Sequence, residues 1–202
     1  IVYKPEFGEP PDYQICFHCG YIIRLFENPP EKRFDMIKTQ TGREEVEKLI
    51  MRPGGPKDKF RLRKSQISEM KKQFLSGLLI HLRSVPIGLR ISEWLSLTYP
   101  ELDDLKKAHI EKEININKQS LSGEIRLLTP SKIYDASQSI SAAYAIYWAE
   151  KYNKPEWVNQ YHQQRFSIPG HKLLDIVSKV SNEPVYDNDL IKDWGKHLDI
   201  ED

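Results

Sequence analysis

The sequence predicts an α+β fold that is mainly helical: a helical bundle around a small antiparallel sheet, preceded by a proline-rich N-terminal appendage. Two stretches have the apolar spacing of helices. Apolar residues recur at i, i+3, i+4 and i+7 in residues 74–82 and at i, i+4, i+7 and i+8 in residues 139–152. The third observation is that short segments in the second half of the chain alternate apolar and polar residues, as strands do. We therefore expect an appendage over residues 1–56 and a helical domain over residues 57–202.

Length and composition indicate a folded chain with balanced charge. The 202 residues are 39% hydrophobic and 10% aromatic, which suffices for a packed core and excludes a disordered tail. Lysine and arginine number 30 against 29 acidic residues, so the formal net charge is +1. A surface that binds nucleic acid or an acidic membrane must therefore be a local cluster of cations.

The sequence carries no recognisable targeting signal, which predicts an intracellular protein. No run approaches the ~18 apolar residues of a membrane span, and no signal-peptide pattern opens the chain. Only two cysteines occur, too few for a disulfide-stabilised secreted domain. We expect a soluble protein of the cytoplasm or nucleus, with the virion as a further location. The first residue is Ile1 rather than Met, as expected of a fragment or a processed product.

Two short motifs lie in the N-terminal appendage. Cys16-Phe-His-Cys19 is a CxxC pair, but a tetrahedral zinc site needs four ligands, so two ordinary thiols are the favoured interpretation and no metal is predicted. Pro10, Pro11 and Tyr13 belong to a PPxY segment, which resembles the ligands of WW domains and the late-budding motifs of some viral matrix proteins.

The first half of the chain contains one predicted strand, one helix and a linker. Residues 21–26 predict the strand, residues 44–51 the helix, and the Pro- and Gly-rich residues 52–57 a linker that ends the appendage. The densest cluster of cations in the chain follows, a pattern typical of a solvated face and equally of a phosphate-binding surface. This cluster consists of Lys57, Lys59, Arg61, Arg63, Lys64, Lys71 and Lys72.

The second half of the chain is expected to supply the sheet and two further helices. Residues 106–118 and 123–128 flank a Gly-containing turn and predict a β-hairpin, and residues 133–134 predict a third strand. One helix is predicted over residues 139–152, and another begins near residues 170–171.

Arg90 stands out in the apolar centre of the chain. The helix over residues 74–82 is predicted to be central and to be interrupted at Pro86 and Gly88, after which a second apolar pattern carries Arg90 and Glu93. A guanidinium among apolar neighbours needs a carboxylate or a phosphate, since burying an unpaired charge is costly. One alternative is an intrahelical ion pair with Glu93 at i+3. The other alternative is a bound phosphate.

A longer motif around Arg90 resembles a known family. The run Gly88-Leu89-Arg90-Ile91-Ser92-Glu93, followed by Leu95, Leu97, Tyr99, Glu101, Leu102 and Asp103, is similar to the first-arginine motif of tyrosine recombinases, the phage-integrase family. The resemblance implies a domain that breaks and rejoins DNA through a phosphotyrosyl intermediate. The roles that it implies are phosphate binding by Arg90 and Arg165, protonation of the leaving oxygen by Lys132 or the competing Lys118, and orientation of the phosphate by His171 and His197.

The chain also departs from the family pattern. The second phosphate-binding arginine belongs three residues after His171, where this chain has Leu174, and an apolar side chain cannot stabilise charge on a phosphoryl group. The segment His162-Gln-Gln-Arg165 supplies the motif in a register further upstream. No tyrosine follows His197 in the sequence. Either the nucleophile lies beyond these residues, or the chain is a recombinase-like relic that does not cut.

The predicted function is DNA binding through phosphate contacts, with strand cleavage and rejoining if a tyrosine follows the last residue, and no cofactor is expected. The alternative is a non-enzymatic viral assembly or matrix-like adaptor protein that self-associates and recruits WW-domain partners through Pro10, Pro11 and Tyr13. This alternative explains the missing arginine, the missing nucleophile and the near-zero net charge. It leaves the motif around Arg90 unexplained.

Overall fold

The structure, a computed structural model, describes residues 12–33 and 39–200, and every regular element in these two ranges is helical. The α-helices in chain order are α1 (Asp12–Glu27), α2 (Gln40–Met51), α3 (Pro56–Phe60), α4 (Lys64–Thr98), α5 (Asp103–Gln119), α6 (Gly123–Leu128), α7 (Ser131–Tyr152), α8 (Asn159–Gln163), α9 (Ser167–Lys179) and α10 (Asp187–His197). Short 3₁₀ helices lie at Pro30–Lys32, Pro100–Leu102, Pro155–Trp157 and Pro184–Tyr186.

The predicted α+β class is wrong, because the described residues form an all-α protein without a sheet. The helices predicted within residues 44–51 and 139–152 and near residue 170 are confirmed as parts of α2, α7 and α9. The four predicted strand segments lie in α1 (residues 21–26), α5 (106–118), α6 (123–128) and α7 (133–134).

The alternation in α5 that suggested a strand is produced by the helical period. Ile114 is buried while Ile116 is 54% exposed, because residues two apart on a helix point to nearly opposite sides. The helical stripe is Ile110 and Ile114, four residues apart and both buried. The next segment, α6, begins at an N-cap, where Oγ of Ser122 accepts a hydrogen bond from the N–H of Ile125 at 3.4 Å.

The predicted interruption at Pro86 and Gly88 is also wrong, because α4 continues through both residues. An internal proline costs about 3 kcal/mol through its missing N–H and its steric clash. Both residues are buried inside the protein, so packing on α4 opposes this cost. Two residues before the proline, the carbonyl of Ser84 accepts a hydrogen bond from the hydroxyl of Tyr21 at 2.6 Å, so α1 supports α4 beside the weakened turn.

Two apolar clusters meet along α4 and α7. The first includes Ile50, Leu82 and Trp194 and joins α4 to α1, α2, α9 and α10. The second includes Ile114 and Trp148 and joins α7 to α5 and α8. Buried residues of α7 belong to both clusters, as expected of a helix that is surrounded by others. Since α4 packs against α1, α2, α7 and α10, the prediction that its apolar stripe is central is confirmed.

Among the described helices, α4 is the one that is long and apolar enough to cross a membrane by length and composition. Half of its most apolar 18-residue window is buried inside the protein. The central helix of a packed domain passes the same test, and this burial agrees with that role.

Glycine permits a close crossing between α1 and α4. A Cβ atom built on Gly20 would lie 2.6 Å from Cγ2 of Ile91, and one built on Gly88 would lie 3.0 Å from Cζ of Phe17. Both separations are shorter than van der Waals contact. Larger side chains at these positions would therefore push the two helices apart.

Replacing Gly20 by alanine should lower the free energy of unfolding by about 1–3 kcal/mol. Overpacking against Ile91 outweighs the roughly 1 kcal/mol that alanine gains over glycine inside a helix. The control is Gly77→Ala in α4, where no described atom lies within 4 Å of the added Cβ, and which should stabilise the protein. Urea unfolding measures both changes, and a Gly20→Ala protein as stable as Gly77→Ala would contradict the close crossing.

Candidate functional site

Arg90 is buried and donates two hydrogen bonds to protein groups. Its side chain is 4% exposed, Nη1 donates to Oδ1 of Asp187 at 3.0 Å, and Nη2 donates to the carbonyl of Val180 at 2.9 Å. Glu93, the intrahelical partner considered from the sequence, instead accepts a hydrogen bond from Lys151 at 3.2 Å. The carboxylate that Arg90 needs comes from a residue 97 positions away.

The same carboxylate binds a second guanidinium, from α1. Nε of Arg24 donates to Oδ2 of Asp187 at 2.6 Å, and Nη2 donates to Oδ1 at 2.7 Å. Nη2 also donates to the carbonyl of Asn182 at 2.6 Å. Burial lowers the pKa of Arg90, and its hydrogen bond to Asp187 opposes that shift.

The helix ends around this cluster compensate its charge. Asp187 is the first residue of α10, where the helix dipole favours a negative charge. Val180 follows the last turn of α9, where carbonyl groups lack intrahelical partners and favour positive charge. Two arginines and one carboxylate are therefore satisfied together, and Arg24, Arg90 and Asp187 fasten α1 and α4 to the junction between α9 and α10.

Replacing Asp187 by alanine should lower the free energy of unfolding by about 3–5 kcal/mol, since it leaves a buried guanidinium without its carboxylate. The matched control is Asp189→Ala, which removes an exposed carboxylate from the same helical turn and should change stability by roughly 0.5 kcal/mol or less. Thermal unfolding followed by circular dichroism compares the two. Equal melting temperatures would show that Arg90 and Arg24 are solvated.

Three of the residues singled out from the sequence lie together elsewhere. Lys132, Arg165 and His197 line one groove of about 470 Å³, formed where the start of α7 meets the turn between α8 and α9 and the end of α10. Arg126 of α6 lines the same groove. An ion pair with an N–O distance of 2.7 Å joins Lys132 to the exposed Asp199.

A second hollow, of about 490 Å³, continues this groove past α3. It shares Arg126 and Asp135 with the first and adds Arg52 and Lys59. We call the two hollows together the basic groove. Asp135 is the one carboxylate among the described residues that line it. Burial raises the pKa of Asp135, although the charge of Arg126 opposes this.

The basic groove also receives the N-terminus of α7. Pro130 and Ser131 line the groove at this helix end. In the described structure the first turn of the helix holds no acidic residue, and no side chain caps it. The 22-residue helix therefore presents its positive end to the groove without an acidic residue in its first turn, and Asp135 follows just after that turn.

Arg165 adopts an unusual backbone conformation. Its φ is +66°, in the left-handed region that side chains other than glycine and asparagine seldom adopt. The tight turn is closed by hydrogen bonds from the N–H of Arg165 to the carbonyl of His162 at 3.0 Å and from the N–H of Phe166 to the carbonyl of Tyr161 at 2.8 Å. An exposed cation on a strained turn is a frequent arrangement at binding sites.

The remaining predicted residues lie away from the basic groove. His171 is exposed on α9 and does not line it, and neither does the buried Arg90. Lys118 donates a hydrogen bond to the carbonyl of Glu156 at 3.3 Å. The tyrosine that lines the groove among the described residues is Tyr134, whose hydroxyl is buried without a hydrogen-bond partner. The groove thus offers cations for an anion but no accessible tyrosine hydroxyl from this part of the chain.

The appendage motifs are partly visible. Pro10 and Pro11 lie outside the described residues, while Tyr13 is buried and shares a 2.9 Å hydrogen bond with the hydroxyl of Ser92. A WW domain could contact the ring of Tyr13 only after α1 had detached from the other helices. Cys16 and Cys19 are half-buried thiols on α1. Within residues 12–33 and 39–200, no group of three potential metal ligands occurs.

Sequence reasoning missed Asp187, Arg126 and Arg52. Arg126 was assigned to a predicted strand, and Arg52 to a linker. For Asp187, the available signal was its place at the start of a helix, a position where acidic residues are common. Its pairing with Arg24 and Arg90 depends on contacts across most of the chain.

The comparisons identify no relative of this chain. No protein-family model matches it, and neither the curated proteins nor the solved structures contain a significant match.

Proposed function

We propose that this protein binds DNA through the phosphate backbone, using the basic groove. The observation that carries the proposal is the convergence of Lys132, Arg165 and His197 on one groove, together with Arg126. Lys132, Arg165 and His197 are also among the residues to which the family resemblance assigns phosphate chemistry. They come from different elements, so their proximity does not follow from neighbouring positions in the chain.

The balance of charge in the groove favours a polyanion. Its lining contains five cations against one carboxylate, Asp135, in the described part of the chain. Since the formal charge of the whole chain is only +1, these cations are a local concentration. Phosphate contacts of this kind release bound counterions and give affinity without sequence specificity. The five cations are Arg52, Lys59, Arg126, Lys132 and Arg165.

We propose that the described residues bind DNA without cleaving its strands. Arg90 is buried and donates hydrogen bonds to Asp187 and Val180, so its guanidinium is not available to a phosphate. The hydroxyl of Tyr134 is buried. A DNA-binding role also accords with the proposed cytoplasmic or nuclear location.

Replacing Arg126 and Arg165 together by glutamine should weaken binding to a short DNA duplex by roughly 5- to 30-fold, at about 0.5–1 kcal/mol for each exposed charge contact. It should also reduce the slope of log affinity against log salt by about 2, close to 0.9 for each lost phosphate contact. Fluorescence anisotropy over a salt series measures both quantities.

The control replaces Lys172 and Lys179 by glutamine, since these exposed residues of α9 do not line the groove. It removes the same formal charge and should preserve affinity and slope more nearly than the groove variant. Salt-independent binding by the wild-type protein, or equal losses in the two double variants, would reject the proposal.

One surface favours a second function, self-association. Ile15, Cys19, Ile22 and Phe26 are spaced by 4, 3 and 4 residues along α1, and the three larger side chains are exposed. This spacing is the seam by which two helices pack together. A second copy of α1 presents the matching seam and would form a symmetric dimer.

Replacing Ile22 by glutamate should shift a dimer towards the monomer by at least tenfold in Kd, because a charge at a central seam position loses the apolar contact and must be desolvated. The control is Ile80→Glu on α4, where the isoleucine is also exposed but lies outside the seam. Analytical ultracentrifugation over a concentration series distinguishes them. A wild-type chain that stays monomeric at high concentration would exclude this function.

A further inference from the structure

A third hollow, separate in character from the basic groove, lies between α2, α4 and α10. Its volume is about 810 Å³, within the range of about 300–1,000 Å³ that is typical of small-molecule sites. Leu75, Leu78, Leu79 and Leu82 of α4 line it, with Val46 and Ile191 opposite. The apolar stripe read from the sequence is thus both a core stripe and the floor of this hollow.

The floor of the hollow is mostly covered by protein, because Leu75, Leu78 and Leu82 line it but are each at most 8% exposed. The accessible apolar surface therefore comes mainly from the half-buried lining residues Leu49, Leu79 and Ile200.

Two lysines at the hollow have no ion-pair partner among residues 12–33 and 39–200. Of the acids that line it, Glu45 is paired with Lys48 at 2.7 Å and Asp199 with Lys132 at 2.7 Å. Lys192 and Lys196 also line the hollow, are exposed, and form no ion pair with a described residue.

The two free lysines lie one turn apart on the same face of α10. Their ammonium groups can therefore contact the same anionic group of a ligand. An apolar slot with two free cations at its edge complements a molecule that is apolar along its length and negatively charged at one end.

We propose that this hollow binds a single-chain anionic amphiphile. The alkyl chain would lie against the accessible apolar lining, formed by Leu49, Leu79 and Ile200. A carboxylate or phosphate head group would lie between Lys192 and Lys196. The shared chemistry is one alkyl chain with one anionic head, which a free fatty acid and a lipid phosphate both have. The site is independent of DNA binding, except that Lys132 lines both the hollow and the basic groove.

Calorimetric titration with straight-chain carboxylates of increasing length, each below its micelle concentration, tests the apolar part of the site. One molecule should bind per chain, and affinity should rise about fourfold for each added methylene that is buried. Dodecanoate and dodecyl phosphate form the two head-group arms, and the tighter of them identifies the source of the ligand. Dodecanol and dodecyltrimethylammonium should bind more weakly than either.

The variant Lys192→Gln with Lys196→Gln tests the charged part. Both side chains are exposed, so the protein should fold, and dodecanoate binding should weaken roughly tenfold while dodecanol binding stays constant. The pair Lys172→Gln and Lys179→Gln on α9 is the control and should leave dodecanoate binding unchanged. Several molecules bound per chain, equal affinity for the cationic analogue, or no effect of the α10 variant would each overturn the proposal.

Discussion

The structure depends on one buried carboxylate. Asp187 accepts hydrogen bonds from Arg24 and Arg90 and so joins α1, α4 and α10 at a single point. Taking these charges out of water costs several kcal/mol per ion, and the cost is recovered only where the geometry satisfies every donor. Here Nη2 of Arg90 donates to the carbonyl of Val180, and Nη2 of Arg24 donates to the carbonyl of Asn182. These two carbonyl groups lie at the end of α9 and in the turn that follows it.

This arrangement explains why the most conspicuous motif in the sequence is not the centre of the groove. Arg90 has the apolar setting expected of a phosphate-gripping arginine, but the protein supplies its own anion. The cations that line the basic groove lie away from Asp187, around the start of α7. In the proposed function, different arginines therefore stabilise the fold and bind the ligand: the half-buried Arg24 and the buried Arg90 hold helices together, and the exposed Arg52 and Arg165 line the groove.

Four of the ten described α-helices, α2, α4, α7 and α9, could be predicted from the sequence, because stripes such as Leu75, Leu78 and Leu82 fit only the helical periodicity. The predicted strands were wrong, since an alternation such as Ile114 and Ile116 over a few residues is compatible with a strand or a helix. Lys132, Arg165 and His197 were found through a family resemblance, which no comparison supports, and the proximity of these residues in the structure is independent of it. Partners such as Arg24 and Asp187, 163 positions apart, are set by tertiary packing and leave no local signal.

The ion pair between Arg24 and Asp187 cannot form until late in the synthesis of the chain. At about 5–20 residues per second, a ribosome needs roughly 8–33 s to travel the 163 positions between them. During that interval α1 can settle on α4 through its glycine crossing, but its guanidinium still lacks the carboxylate that will hold it. Until α10 has been synthesised, α1 is therefore held on α4 without its ion pair to Asp187.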